Sequence, residues 1–439
     1  MALNETPQKQ LSLFDSTCLI VGIIIGVGVY QMAPDVAKGA GSAAGVLAVW
    51  AVGGFVSLCG ALGYAELATA YPREGGDYVY LSRAYGRWAG FLFGWIQLAI
   101  VRPGDIVVMA FAFAMYARQI YDPLADSRFP YGQQLLAAAA VMVLTVINMI
   151  GVREGKWTQN LLTSVKALGL LAIVVVALIA PPRRPVVASI DPLPVSLALI
   201  FVLFSYGGWN EMAYVAAEVK DPRRNIVRAL VLGTTAVMVL YLLLNAAFLT
   251  ALGYSAMASS QAVAADAVAT VFPQTSGRLI SALVCLSALG AVNGLIFTGA
   301  RISYAVGADH RVFRLLGKWD GHTGTPIRAL IVQAVLALSL IGILGSFVET
   351  ILFTAPAVYS FYLATSLAVI VLRFREPATE RPYRVTGYPV PTLVFCAVCV
   401  FLIYSAVRYA VAHQPYVTGW AMWVGLVGLP IYWQWGRAR

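Results

Sequence analysis

Of the chain's 439 residues, 60% are apolar and only 11% charged, against roughly a quarter charged in ordinary soluble domains. That composition excludes a water-soluble fold of this size. The net charge of +10 lies in short clusters between long charge-free runs, which argues against a nucleic-acid partner. A helix needs about 20 apolar residues to cross a hydrocarbon core of about 30 Å. In chain order the predicted spans are 17–37, 43–70, 88–116, 132–151, 157–180, 194–217, 228–252, 277–305, 327–345, 348–372, 390–410 and 416–435. The fold class is therefore all-α integral membrane, with about twelve transmembrane helices. Helices are the element expected, because lipid offers the backbone no hydrogen-bond partner, and the ten-residue alternation of a membrane barrel is absent. No small-residue cleavage site follows the first span, so it reads as a retained helix and not a signal peptide.

Placing the N-terminus inside puts most of the 30 Lys and Arg residues on the cytoplasmic side, including Lys220, Arg223, Arg224 and Arg228 after span 6. This positive-inside bias predicts cytoplasmic N- and C-termini, with Arg183 and Arg184 as exceptions on the external side. Two connections have the mixed pattern of interfacial amphipathic helices. These are residues 77–86 after Gly75-Gly76, and 309–319, where Val312, Phe313, Leu316 and Trp319 recur at helical spacing. The five cysteines (Cys18, Cys59, Cys285, Cys396 and Cys399) all fall within predicted spans. Cys396 and Cys399 have CxxC spacing, but no second pair or nearby His supports a metal site. They read as small apolar residues.

The most informative feature is a pair of interruptions. Span 1 is broken by Gly22 and then by Ile25-Gly26-Val27-Gly28, and span 6 by Ser205-Tyr206-Gly207-Gly208. The breaks lie five spans apart, as expected of two repeats with opposite orientation, and such paired breaks point to a transporter's binding site. A broken helix exposes unpaired carbonyls at the end of one half and unpaired amides at the start of the next. Carbonyl ends attract cations and amide ends attract anions. Carbonyls at Ile24–Ile25, Phe204–Ser205 and Gly207, facing amides at Val27–Gly28 and Gly208–Trp209, suit a zwitterion. No catalytic carboxylate pair, HExxH or phosphate-cradling Gly-Lys loop occurs, and the three histidines lie in loops. Neither an enzyme nor a cofactor or metal is expected.

The run Gly22-Ile23-Ile24-Ile25-Gly26-Val27-Gly28-Val29-Tyr30 resembles the first broken helix of the amino acid–polyamine–organocation (APC) superfamily. Phe204-Ser205-Tyr206-Gly207-Gly208-Trp209-Asn210 is similar to the sixth helix of its L-type amino acid transporter branch. So are Tyr64-Ala65-Glu66-Leu67 running into Pro72-Arg73-Glu74-Gly75-Gly76-Asp77-Tyr78, Arg102-Pro103, Glu218-Val219-Lys220-Asp221-Pro222 and Gly290-Ala291-Val292-Asn293-Gly294. The chain thus looks like a prokaryotic homologue of the heteromeric transporter light chains. The resemblance covers spans 1 to 10. It implies a LeuT-type core of two inverted five-helix repeats (17–180 and 194–372) plus two additional helices (390–435) in one membrane domain. It also implies sodium-independent transport, by exchange, of neutral L-amino acids. A proton-coupled or cationic amino acid or polyamine carrier is the alternative, and a non-transporting amino acid sensor a remote one.

Carried over by position, the resemblance assigns the substrate carboxylate to the amides of Val27 and Gly28. It assigns the substrate amine to the carbonyls of Ile24, Phe204, Ser205 and Gly207. Phe204 resembles the aromatic lid, and Asn210 a polar contact beyond the break. Val27 stands where many relatives have Ser, and Glu211 where animal members usually carry an aromatic residue. The animal light chains join a heavy chain through a Cys in the loop after span 3. Residues 117–131 contain no Cys, so no disulfide-linked heavy chain is expected.

Ionisable groups at depth are functional candidates by default. Lys166 stands about ten residues into span 5, about 15 Å deep at 1.5 Å per residue. In the family reading its ammonium bridges spans 1 and 8 where sodium-dependent relatives bind a cation; an ion pair with Glu211 or another carboxylate is the structural alternative. Arg102 and Asp105, three residues apart on span 3, are expected to neutralise one another, and Pro103 to bend that helix. Glu211 is a candidate reader of the substrate side chain or a partner within the bundle. Asn293 is a candidate gate or interhelical contact.

Overall fold

A computed structural model describes residues 7–121, 131–179, 190–343, 347–413 and 427–434. Among these, nine helical segments are long and apolar enough to cross a membrane. They are Leu13–Gln31, Ala43–Ala70, Arg87–Ile120, Gly132–Ile150, Val152–Ile179, Val195–Glu218, Pro222–Leu252, Ser276–Asp309 and Ala357–Arg375. They coincide with predicted spans 1 to 8 and 10, and two further apolar helices, Ile327–Ile343 and Val390–His413, coincide with spans 9 and 11. Of span 12, a helix is described only within 427–434, and most of its range lies outside the described residues, as do Arg128, Arg183 and Arg184.

Span 5 illustrates how sequence assigns each helix a lipid face and a protein face. Leu161, Leu168 and Val175, seven residues apart, are 53%, 66% and 57% exposed. Gln159, Thr163, Lys166 and Leu170 are buried on the opposite side. The apolar stripe faces outward and the polar one inward, because the surrounding solvent is hydrocarbon.

Span 1 begins with a capping box: Ser12 Oγ accepts from the Asp15 amide, and the Asp15 carboxylate accepts from the Ser12 amide at 2.8 Å. Asp15 also binds Lys156 at 3.2 Å and Asn160 at 2.6 Å, tying the foot of span 1 to span 5. Just before it, the amides of Gln10 and Leu11 donate to the Glu218 carbonyl, and Lys220 N–H donates to Leu11 O, each at 2.8 Å. The N-terminal segment therefore clasps the far end of span 6. Glu218 itself pairs with Arg301 of span 8 at 2.7 Å, both side chains being inaccessible to solvent. Removing one partner of such a pair would strand a buried charge at a cost of about 3–5 kcal/mol.

Three sequence expectations are corrected. Gly22 does not break span 1. It lies inside the helix Leu13–Ile24, where a Cβ would meet Gln159 and Thr163 at 2.2 Å, so it is small to let span 5 approach. Residues 309–319 do not form an amphipathic helix. They form a single 3-10 turn, Arg311–Phe313, followed by irregular chain, with Phe313, Leu316 and Trp319 packed inward. Residues 77–85 are helical, but Tyr78, Val79, Tyr80 and Leu81 are buried against neighbouring spans, so this helix is a wedge and not a surface float. In span 3 the predicted irregularity is a π-helical turn at Gln97–Val101, immediately before Arg102-Pro103. Proline cannot donate to the carbonyl four residues back, and the widened turn absorbs that loss.

Candidate substrate cavity

Spans 1 and 6 cross at their breaks. The first half of span 1 ends at Ile24, Ile25 leaves helical geometry at φ −74°, ψ 74°, and helix resumes at Gly28. Span 6 ends its first half at Ser205 and resumes as a 3-10 helix from Trp209. Gly208 between them has φ 108°, a value that favours glycine. The crossing is tight: a Cβ on Gly28 would stand 2.9 Å from Ser205 Oγ and 3.2 Å from Ser205 Cα.

These breaks line a cavity of about 140 Å³. Gly26, Gly28, Phe204, Ser205, Gly207 and Gly208 supply its backbone side. Span 3 supplies Asp105, Val108 and Met109, and spans 10 and 11 add an aromatic wall of Tyr359, Tyr362 and Phe395. Trp209 stacks into that wall, 5.5 Å from both Tyr362 and Phe395. Among the described residues, no group hydrogen-bonds to the amides of Val27 or Gly28, whereas the carbonyls are partly used. Ile24 O accepts from Gly26 N–H at 2.7 Å and from Tyr241 OH at 3.0 Å. Phe204 O accepts from Gly207 N–H at 2.9 Å, and Ser205 O accepts from Tyr241 OH at 3.4 Å. Phe204 O also faces the Tyr206 N–H; a carbonyl has two lone pairs, so Ser205 O retains one, and among the described residues Gly207 O accepts no bond. The site offers free donors on one side and spare acceptors on the other.

Lys166 is fully buried. Its ammonium donates to the carbonyls of Gly22, of Ile25 at 2.8 Å and of Ser287 on span 8 at 3.4 Å. It therefore rivets the broken end of span 1 to span 8, and an ion pair with Glu211 is ruled out, since Glu211 is engaged elsewhere. Arg102 reaches it with two bonds, Nη1 to Oε2 at 2.9 Å and Nη2 to Oε1 at 2.8 Å, and Thr298 adds a third at 2.6 Å. The expected Arg102–Asp105 pairing is thus corrected. A guanidinium fork matches the two oxygens of a carboxylate across the bundle, and the remaining Arg102 nitrogen goes to Gln97 at 3.2 Å.

Asn210 lies outside the main cavity. It accepts from Tyr362 OH and donates to Tyr214 OH, both at 2.9 Å. Tyr214 continues to the Asp77 carboxylate at 2.6 Å, which also takes hydroxyl bonds from Tyr64 and Thr365. Burial raises the Asp77 pKa, while the three hydroxyl donors pull it back. This knot joins spans 2, 6 and 10 to the wedge helix below the cavity. Asn293 is likewise interhelical, donating to Gly155 O at 3.1 Å and Gln159 Oε1 at 3.0 Å and accepting from Asn148 at 2.8 Å.

The sequence reading missed Tyr241, whose one hydroxyl touches both breaks, and it missed span 11, which contributes Phe395 and Cys399 to the cavity. Neither has a local signal. Tyr241 is one phenol in the apolar part of its helix, and span 11 reads as uniformly apolar.

Comparison with known proteins shows the family. The sequence profile of the amino acid permease family matches residues 11–429. The chain is 32% identical over 444 residues to human large neutral amino acids transporter small subunit 2, covering 97% of this chain and 80% of that protein. It is 31% identical over 409 residues to mouse b(0,+)-type amino acid transporter 1, covering 91% and 83%. It is also 31% identical over 439 residues to mouse Asc-type amino acid transporter 1, covering 97% and 81%.

Proposed function

The chain belongs to the amino acid permease family of the APC superfamily, and from that premise we propose that it exchanges L-amino acids, neutral ones among them, across the cell membrane without sodium. The observation that carries this reading is the pair of crossed breaks, with unpaired Val27 and Gly28 amides opposite spare carbonyls at Ser205 and Gly207. A carboxylate at the amides and an ammonium at the carbonyls satisfy both helix ends at once. The rest of the cavity is mostly apolar, which suits a neutral side chain. The names of relatives that carry large neutral amino acids support the same class.

In this account Phe204 closes over the substrate. The halves 17–180 and 194–372 act as inverted repeats that rock about the site, and the termini face the cytoplasm. The Asp77 knot is the inner gate, with Asn210 relaying the state of the cavity wall through Tyr362. Lys166 takes the position of a coupling cation. A second positive charge beside a buried ammonium would be strongly repelled, so sodium has no electrostatic reason to bind there. The chain works without a disulfide-linked heavy chain.

The test is uptake of labelled leucine into proteoliposomes. Internal unlabelled leucine is expected to accelerate uptake several-fold, and replacing sodium with choline to leave it unchanged. Uptake that needs sodium, or that ignores internal amino acid, would refute the proposal.

A further inference from the structure

Among the described residues five buried carboxylates are well answered, whereas Glu74 keeps a buried Oε1 without a partner but lies away from the substrate cavity. Asp15 has Lys156 and Asn160, Asp77 has three hydroxyls, Glu211 has Arg102 and Thr298, and Glu218 has Arg301. Glu66 takes Arg373 and the Val385 amide. Asp105 differs. It is half-buried on span 3 and lines the substrate cavity. Among the described residues no hydrogen bond or ion pair reaches its carboxylate. Its natural partner, Arg102, spends its Nε, Nη1 and Nη2 on Gln97 and Glu211. With both carboxylates ionised, the formal charges of Arg102, Asp105 and Glu211 sum to −1 at the cavity wall.

Asp105 also borders a second, smaller chamber of about 30 Å³, shared with Glu211, Tyr362 and Arg102. That is room for about one water-sized group. Asp105 stands one helical turn, about 6 Å, along span 3 from Met109. Met109 Sδ lies 3.4 Å from where a side chain on Gly26 would begin. Met109 and Asp105 line the same cavity as the breaks, and the helical turn between them is matched by a four-carbon stem.

We propose that Asp105 is a specificity residue that receives the terminal ammonium of a lysine-type amino acid, so that the exchanger accepts this cationic class besides neutral substrates. The inference rests on the amino acid exchange reading above. An unpaired carboxylate facing an apolar cavity is costly, and a substrate ammonium relieves that cost with charge-assisted hydrogen bonds. The small chamber admits an ammonium more readily than a planar guanidinium, so lysine is favoured over arginine.

The experiment is displacement of labelled leucine from the purified full chain by lysine, norleucine and arginine. Lysine and norleucine differ by the terminal ammonium alone. Lysine is expected to bind at least as tightly as norleucine, and arginine more weakly than lysine. Asp105→Asn and Asp105→Ser are each expected to weaken lysine by about tenfold or more relative to norleucine, with size-exclusion behaviour as the folding control. Lysine binding about tenfold weaker than norleucine in the unmodified protein overturns the proposal, whatever the variants do. Equal losses of lysine and leucine in the variants overturn it too. If leucine and lysine both fail to bind the unmodified protein, the exchange reading itself has failed, a result distinct from the loss of lysine alone.

Discussion

Gly28→Val is expected to abolish amino acid binding while leaving a monodisperse, folded protein in detergent. The new Cβ would stand 2.9 Å from Ser205 Oγ and 3.2 Å from the Ser205 Cα, and the latter cannot swing away. The crossing of spans 1 and 6 must open to admit it. Two further methyl groups would sit where the substrate carboxylate meets the Gly28 amide. Losing charge-assisted bonds of about 1.5–3 kcal/mol each, together with the loss of space, implies a drop in affinity of about a hundredfold or more. Binding of labelled leucine by scintillation proximity, with size-exclusion as the folding control, reads this directly. Near-normal affinity would move the site away from the breaks.

Lys166→Ala is expected to cut exchange turnover by about tenfold while changing leucine affinity by no more than about threefold. The ammonium touches neither the Val27 and Gly28 amides nor the carbonyls of Phe204, Ser205 and Gly207. What it holds is the end of span 1's first half against span 8, through the carbonyls of Gly22, Ile25 and Ser287. Without it, buried acceptors lose their donor and the two spans lose a fixed register. Motion suffers before recognition does. Parallel measurement of Kd and of exchange rate in proteoliposomes separates the two. An affinity loss as large as the turnover loss would make Lys166 part of the substrate site instead.

Both residues were legible in the sequence because each violates the rule of its surroundings. Glycines at corresponding places in two apolar helices, and a lysine about 15 Å inside a third, conflict with uninterrupted spanning helices. Long-range pairing left no such trace. Arg102 sits three residues from Asp105, so local spacing suggested that pair. The fold instead brings Glu211, 109 residues away, into bidentate contact. Helical periodicity was equally blind to the purpose of Gly22, since a small residue that admits span 5 and one that breaks a helix look alike until the neighbours are known. The segment 309–319 had the spacing of an amphipathic helix, but its apolar residues find burial against spans 3 and 8 without one. Spans 1 to 11 could be drawn from hydropathy alone because lipid leaves the backbone so few choices. Which side chains meet inside them could not.

The most direct test of the central claim is a structure determined with a bound amino acid. The ligand carboxylate is expected within hydrogen-bonding distance of the Val27 and Gly28 amides, and its ammonium against the carbonyls of Phe204, Ser205 and Gly207. An amino acid found elsewhere, or bound between the breaks with its carboxylate turned away from the Gly28 amide, would contradict the account.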